Sequence, residues 1–501
     1  PSKYYEGVEF YGENPDPADY SHLSDNPAVS SSSFADAFAF YAAENLPAKY
    51  DPRTLGKVTQ VRDQGSYETC WSFASLGAME TSYVYRYPGN YAPDLSELHQ
   101  AWFAYKDTRE GYSFPLNDPG KGVLYQGGSL SVSLAFLSRA GTASENELPY
   151  TQAENAESLT GGKNPEDYSA PLRLKDVYIV GGITEKNRDE IKRLITEYGA
   201  LRASMRYDHS GLSGTTFYSD KRGFGHAVII TGWDDDITTP VGKGAWLAKN
   251  SWNTYFADGG YFWISYSQYL YNVAAFISDK KIQGLRQRGY DQLGGADAIN
   301  YQWAANVFIA EGNETIHEVA FHTHNNNVNY EIYINTLGKA QPVNPGVPAT
   351  PAASGNLTYC GYHTVSINSP VNVEDGEYFS VIVKLSDETS YEYYSAVEDP
   401  VTFSGASVHV GESYFAEKET TPRLSDWKDG KTIMQGSFER PCNACIKVFT
   451  SEINADPEPV TPTPSRQTSS SGGGGGGCSS VSGIFIAMAA SLMLARKATK
   501  H

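Results

Sequence analysis

Cysteine is scarce in this chain of 501 residues: there are five, and of these only Cys70 falls between residues 46 and 280. A domain over that span must stand without internal disulfides, and its single thiol is available for chemistry. Positive charge is short as well. Lys and Arg number 39 against 58 Asp and Glu, a net charge of −19, which excludes the basic field that a nucleic-acid partner requires. No glycine-rich phosphate loop and no Cys/His set at zinc spacing occurs, so neither a metal nor an organic cofactor is expected. An initiating methionine is also missing, as expected where an export segment has been removed. What is present is a hydrophobic content of 40%, enough for real cores, and 36 tyrosines that suit partly wet β surfaces. The length suggests about three units.

One stretch organises the rest: Gln64-Gly65-Ser66-Tyr67-Glu68-Thr69-Cys70-Trp71-Ser72-Phe73. Thr69 suits an N-cap, and Ala74, Gly77, Ala78 and Thr81 put small residues at helical spacing, as a helix buried between neighbours needs. Cys70 then opens the helix, where unpaired N–H groups and the macrodipole favour a thiolate. A lone cysteine is most often an inert core residue. The company of Cys70 argues otherwise, because Gly225-His226-Ala227-Val228-Ile229-Ile230 reads as a buried strand opened by a histidine, and Asn250-Ser251-Trp252 follows.

The order cysteine, histidine, asparagine, together with Gln64, Gly127-Gly128 and Asp258-Gly259-Gly260-Tyr261, resembles the papain-like cysteine peptidases over residues 46 to 280. The resemblance implies an α+β papain-like two-lobe peptidase domain acting on protein or peptide substrates. It implies Cys70 as nucleophile, His226 as its acid–base partner, and Asn250 as the residue orienting the imidazole under Trp252. Gln64 and the Cys70 N–H would form the oxyanion hole. Gly127 and Gly128 would pair with an extended substrate, and Phe224, Ala227 and a residue near Ser204 would line an apolar pocket for the second side chain before the cut. Two features depart from the family. Tyr67 replaces a cysteine common there, and His226 and Asn250 follow Cys70 by more than the usual spacing of about 130–150 residues. The extra length reads as loop insertion, one site being Asp234–Lys243, since loop closure entropy grows slowly with length.

Residues 1–45 read as a pro-segment or strap, with Phe34, Phe38 and Tyr41 on one face of a short helix. The peptidase domain is assigned to 46–283. Within it, Ser96 or Asp94 caps a helix through Tyr105, further helices cover 130–140 and 187–198, and strands cover 200–205 and 260–266. From 284 to 452, short alternating runs at 303–309, 316–324, 329–335, 378–385 and 446–450 predict an antiparallel β-sandwich. This part resembles the lectin-like domain of some bacterial surface peptidases, so a glycan or surface ligand is an expectation of that resemblance alone. Outside the cell, a disulfide from Cys360 to Cys442 or Cys445 is expected. Asp234-Asp235-Asp236 reads as a solvated loop in preference to a calcium site.

Residues 453–477 form a Pro/Thr/Ser/Gly linker, and 478–501 combine Cys478, the apolar run Val481–Ala495 and the basic pair Arg496-Lys497. That tail resembles the Synergist-type C-terminal sorting tails of Gram-negative bacteria. It implies attachment to a membrane with the globular part outside the cytoplasm. The reading that results is an exported, surface-attached cysteine endopeptidase. Its alternative is a surface adhesin whose peptidase unit is inactive.

Overall fold

The computed structural model describes residues 9–25, 28, 46–109, 112–294, 297–299, 301–386, 395–398, 407–417, 420–435, 438–439 and 441–453. The expected helix around Phe34 and Phe38, most of the linker, and the 478–501 tail lie outside these residues. No helix among the described residues is long and apolar enough to cross a membrane.

The helix Cys70–Arg86 is the axis of the first domain, and its residues from Cys70 to Tyr83 are all buried. Its small residues allow it to lie against the strands His226–Thr239 and Tyr271–Lys280. Thr69 takes the N-cap position without using its side chain as the cap. Its hydroxyl instead meets the Tyr150 hydroxyl at 2.6 Å. The helix Glu97–Lys106 has the expected cap, with His99 N–H donating to Ser96 Oγ at 3.0 Å. The helices Leu130–Arg139 and Arg188–Tyr198 follow where periodicity put them. The first packs in the helical lobe, and the second lies against the β lobe.

The β lobe runs from Leu172–Gly181 through Tyr271–Lys280, Leu201–Met205, His226–Thr239 and Gly242–Lys249 to Tyr261–Ser265, every neighbouring pair antiparallel. The expected insertion at Asp234–Lys243 is ladder rather than loop: Asp234 pairs with Ala245, and Thr238 with Lys243. The three aspartates therefore belong to a strand, where Asp234 meets Lys49 at 3.0 Å and Asp235 meets Lys192 at 2.7 Å. Local cation partners, which a sequence scan cannot see, offset the repulsion of consecutive carboxylates.

The second domain is the expected antiparallel sandwich. One sheet orders Ala353–Leu357, Val328–Gly338, Tyr378–Ser386, Trp303–Ile309, Ser413–Ala416 and Lys428–Asp429. It packs Ile332, Phe379, Val381 and Phe415 against Ile316, Val319 and Val448 of the facing sheet. That facing sheet continues into the β lobe, because Cys360, Gly361 and Tyr362 pair with Ile179, Tyr178 and Val177. Side chains reinforce the seam, with Thr364 N–H donating to Asp176 Oδ1 at 2.9 Å and Lys175 Nζ meeting Glu318 at 3.0 Å. No disulfide joins Cys360, Cys442 or Cys445. All three are buried, and Cys360 donates its S–H to the Thr323 carbonyl at 3.1 Å in place of the expected bridge.

Candidate active site

Cys70 begins its helix directly under the strand that carries His226. Its Sγ accepts a hydrogen bond from the Ala227 N–H at 3.3 Å. His226 opens its strand opposite Met205, and its Nε2 lies 2.8 Å from Asn250 Oδ1. The other ring nitrogen, Nδ1, is buried with no hydrogen-bond partner among the described residues. With Nε2 donating to the amide oxygen, Nδ1 is left as the proton acceptor. Trp252 stacks on the imidazole, with centroids 4.5 Å apart and planes at 20°. That ring excludes water from the His226–Asn250 bond.

Gln64 is held from both ends. Its Oε1 accepts from Ser251 Oγ at 2.7 Å, and its backbone N–H reaches the Ser251 carbonyl at 2.9 Å. This leaves Nε2 aimed into the cleft. Gly127 and Gly128 form the opposite wall. A Cβ on Gly128 would come within 2.3 Å of the Trp71 ring, so only glycine lets the wall lie so close to the helix. Phe224 meets Tyr271 at 5.3 Å, and Tyr271 is the ladder partner of Ser204, which also pairs with Ala227. The structure thus gathers Gln64, Cys70, Gly128, Ala227, His226, Asn250 and Trp252, with Phe224 on the flank. The pocket near Ser204 is not the apolar one expected, because Arg202, fully buried, shares its strand face.

The cleft is occupied by the chain's own N-terminal segment. Gly128 N–H donates to the Gly12 carbonyl at 2.8 Å, and Asn14 N–H to the Gly128 carbonyl at 2.7 Å. Gln64 Nε2 donates to the Tyr11 carbonyl at 2.9 Å. The Tyr11 ring sits 5.2 Å from His226 and 4.7 Å from Trp252. Glu13 is completely buried and ion-paired with Arg202. The segment continues to the sandwich, where Tyr20 stacks on His324 at 6.1 Å. None of Tyr11, Gly12, Glu13 or Arg202 is visible as functional in the sequence. The one available signal is an arginine inside the otherwise apolar or small run Leu201–Met205.

In this covered cleft, burial favours the neutral sulfur and the neutral imidazole. Burial pushes the Cys70 thiol well above its ordinary value, Glu13 adds to the rise, and the Ala227 N–H opposes it. Burial pushes His226 down to about 4, with the Asn250 bond pulling the other way. A raised thiol and a lowered imidazole leave no thiolate–imidazolium pair near neutral pH. Iodoacetamide should therefore alkylate Cys70 of the intact chain only as pH becomes strongly alkaline. Once the segment has been cut away, the reactive range should extend down to mildly acidic pH. Mass spectrometry of the Cys70 peptide reads both profiles, and identical curves would show that the segment does not control the thiol.

Residues 46–279 match the family model described as papain family cysteine protease, and residues 289–450 match the lectin-like domain. A viral cathepsin of Spodoptera exigua nuclear polyhedrosis virus is 26% identical over 221 residues, 44% of this chain and 57% of the relative. The chain thus spans little more than half the length of that curated relative. Among solved structures, the clostridial cysteine protease Cwp84 after propeptide cleavage superposes with a TM-score of 0.68 at 26% identity, covering 81% of this chain and 99% of that one. The cysteine protease and lectin-like domains of Cwp84, a surface layer associated protein of Clostridium difficile, give 0.67 at 26% identity, covering 81% and 89%.

Proposed function

Because this chain joins a papain-family cysteine protease domain to a lectin-like domain, we propose that it is a cysteine endopeptidase working outside the cytoplasm, held covered by residues 9–25 until they are removed. The observation that carries the reading is the His226–Asn250 bond at 2.8 Å with Nδ1 left as acceptor, together with the helix-opening Cys70, whose Sγ is held by the N–H of Ala227, the residue after His226. Once uncovered, Cys70 gives its proton to His226 and attacks the scissile carbonyl as a thiolate. The oxyanion takes hydrogen bonds from Gln64 Nε2 and the Cys70 N–H, the position that the Tyr11 carbonyl now approaches. His226 protonates the leaving amine, then takes a proton from the water that hydrolyses the thioester.

The test uses the full chain with a site-specific protease sequence placed between residues 30 and 36, folded intact and then cut. A thiol-directed epoxide probe should label Cys70 of the cut chain, and fluorogenic peptides should be hydrolysed. Neither result in a folded protein would favour the adhesin reading. Gln64→Ala should lower kcat by about 10²–10³, a loss of about 2.7–4 kcal/mol, with a smaller change in KM, since the donor acts mainly in the transition state. An effect confined to KM would remove Gln64 from the oxyanion hole.

Surface attachment is proposed to run through the tail beyond the described residues, and the surface-layer association of Cwp84 supports a place outside the cell. Truncation after Ser471 should leave hydrolysis intact and shift activity from washed cells to the medium. Unchanged cell association would move the attachment to the sandwich.

A further inference from the structure

The pocket beside Cys70 has a charged floor. Arg202 and Ser204 lie two apart on one strand and so face the same side, and Ser204 is the ladder partner of Ala227, next to His226. Arg202 donates from one terminal nitrogen to Ser204 Oγ at 2.8 Å and to the Asn272 carbonyl at 3.2 Å, and from the other to Glu13. Ser204 Oγ in turn donates to Glu13 Oε1 at 2.6 Å. Among the described residues, Glu13 is the one carboxylate ion-paired with Arg202.

Glu13 belongs to the segment that must leave before a substrate can enter. Its departure strips a buried guanidinium of its anion and leaves a hydroxyl and a carbonyl as neighbours. A buried cation without a counter-charge is costly, and an apolar side chain over it would seal that cost in. A side chain that brings a carboxylate relieves it. Glu13 also shows the reach required. Glu13 is the residue bridged to Gly128, in parallel, and its side chain enters beside Ser204 and Ala227, the residues that the papain resemblance places around the second side chain before the cut; the position is carried by these contacts and not by the direction of the segment.

We propose that Arg202 and Ser204 make this pocket a receptor for an acidic side chain, so that the enzyme prefers substrates with glutamate as the second residue before the cut. This rests on the peptidase reading above. It replaces an apolar pocket with a charged one, and it makes Glu13 a placeholder for the side chain of the substrate. Discrimination against an isosteric glutamine follows from the guanidinium, which gains a full charge from one ligand and only a dipole from the other once the carboxyl is ionised. Burial raises the Glu13 carboxyl to about 7 against the pull of Arg202, so the difference is read above that pH.

The experiment compares peptides that differ only at that second position, Glu, Gln or Leu, hydrolysed by the cut full-length chain. Glu should exceed Gln in kcat/KM by about 10- to 100-fold, and Leu by at least as much. Ser204→Ala should narrow the Glu-to-Gln ratio several-fold. Arg202→Gln should abolish it; Ser204→Ala keeps the test open if the arginine variant does not fold. Equal rates on Glu and Gln, or preference for Leu, would overturn the pocket assignment while leaving the peptidase reading intact. If nothing is hydrolysed and the epoxide probe leaves Cys70 unlabelled, the peptidase reading has failed and the pocket is read by binding instead. A synthetic peptide of residues 9–25 should then bind the cut chain at least tenfold more tightly than its Glu13→Gln form, and equal binding would overturn the assignment.

Discussion

Cys70→Ala is expected to abolish hydrolysis by the cut chain, with kcat falling by about 10⁵–10⁶-fold, the scale seen when a nucleophile is removed from a concerted site. The size of the loss follows from what remains. Without the sulfur, His226 has no thiol to deprotonate, and the oxyanion donors act on a carbonyl that only water can attack. The fold should survive, because one buried sulfur disappears from a helix whose packing rests on many other side chains, at a cost of about 1 kcal/mol. The checks are fluorogenic turnover and a thermal melt of the same preparation. Turnover equal to the parent with a normal melt would sink the assignment of Cys70.

The second large effect concerns the cover. Gly12 sits at φ +121°, and a Cβ there would lie 2.3 Å from the Glu68 carbonyl carbon and oxygen and 2.8 Å from the Thr69 nitrogen. All three are backbone atoms at the mouth of the central helix, so no side-chain rotation relieves the clash. Gly12→Ala must therefore lift the segment. With it go the two Gly128 hydrogen bonds, the Tyr11 ring over His226, and the Glu13–Arg202 pair. Breaking a buried ion pair alone costs about 3–5 kcal/mol, which corresponds to about 10²–10⁴ in the docking equilibrium. Intact Gly12→Ala chain should accordingly hydrolyse peptide at a rate approaching that of the cut parent, with no lag. A variant as silent as the intact parent, yet fully active after cutting, would show that the segment tolerates the change and that the contact with Glu68 is not what fits it to the cleft.

Much of the candidate site that the fold gathers was legible because its residues are tied to recognisable local patterns. A helix-opening cysteine, a histidine starting a β-branched run and an asparagine followed by Ser-Trp each carry a local signal, and their order adds another. The sandwich was legible for a similar reason, since alternation with frequent turns survives without knowledge of partners. What the sequence hid depends on distant residues. Glu13 lies in a turn-rich stretch without periodicity, and only the folded cleft brings it to Arg202. Asp234, Asp235 and Asp236 looked like a loop because their cationic neighbours, Lys49 and Lys192, are far away in the chain. Thr69 looked like a cap because its rival partner, Tyr150, is distant as well. Compartment alone suggests a bridge for the cysteines of the sandwich, but it does not tell whether two sulfurs meet, and Cys360 bonds the Thr323 carbonyl instead.

The main-chain pairing of Cys360–Tyr362 with Val177–Ile179 fixes how the sandwich is set against the cleft. A blade on a slack tether sweeps a sphere and meets bonds at every bearing. Here hydrogen bonds and salt bridges carry the sandwich straight into the sheet behind the cleft, so the blade has no swivel. Were the sandwich to grip a surface, as the proposed function has it, the cleft would face that surface at one angle and one height. Under the surface-attached peptidase function proposed above, a bond with a suitable sequence but the wrong elevation above that surface would be out of reach, and selection by address would precede selection by side chain.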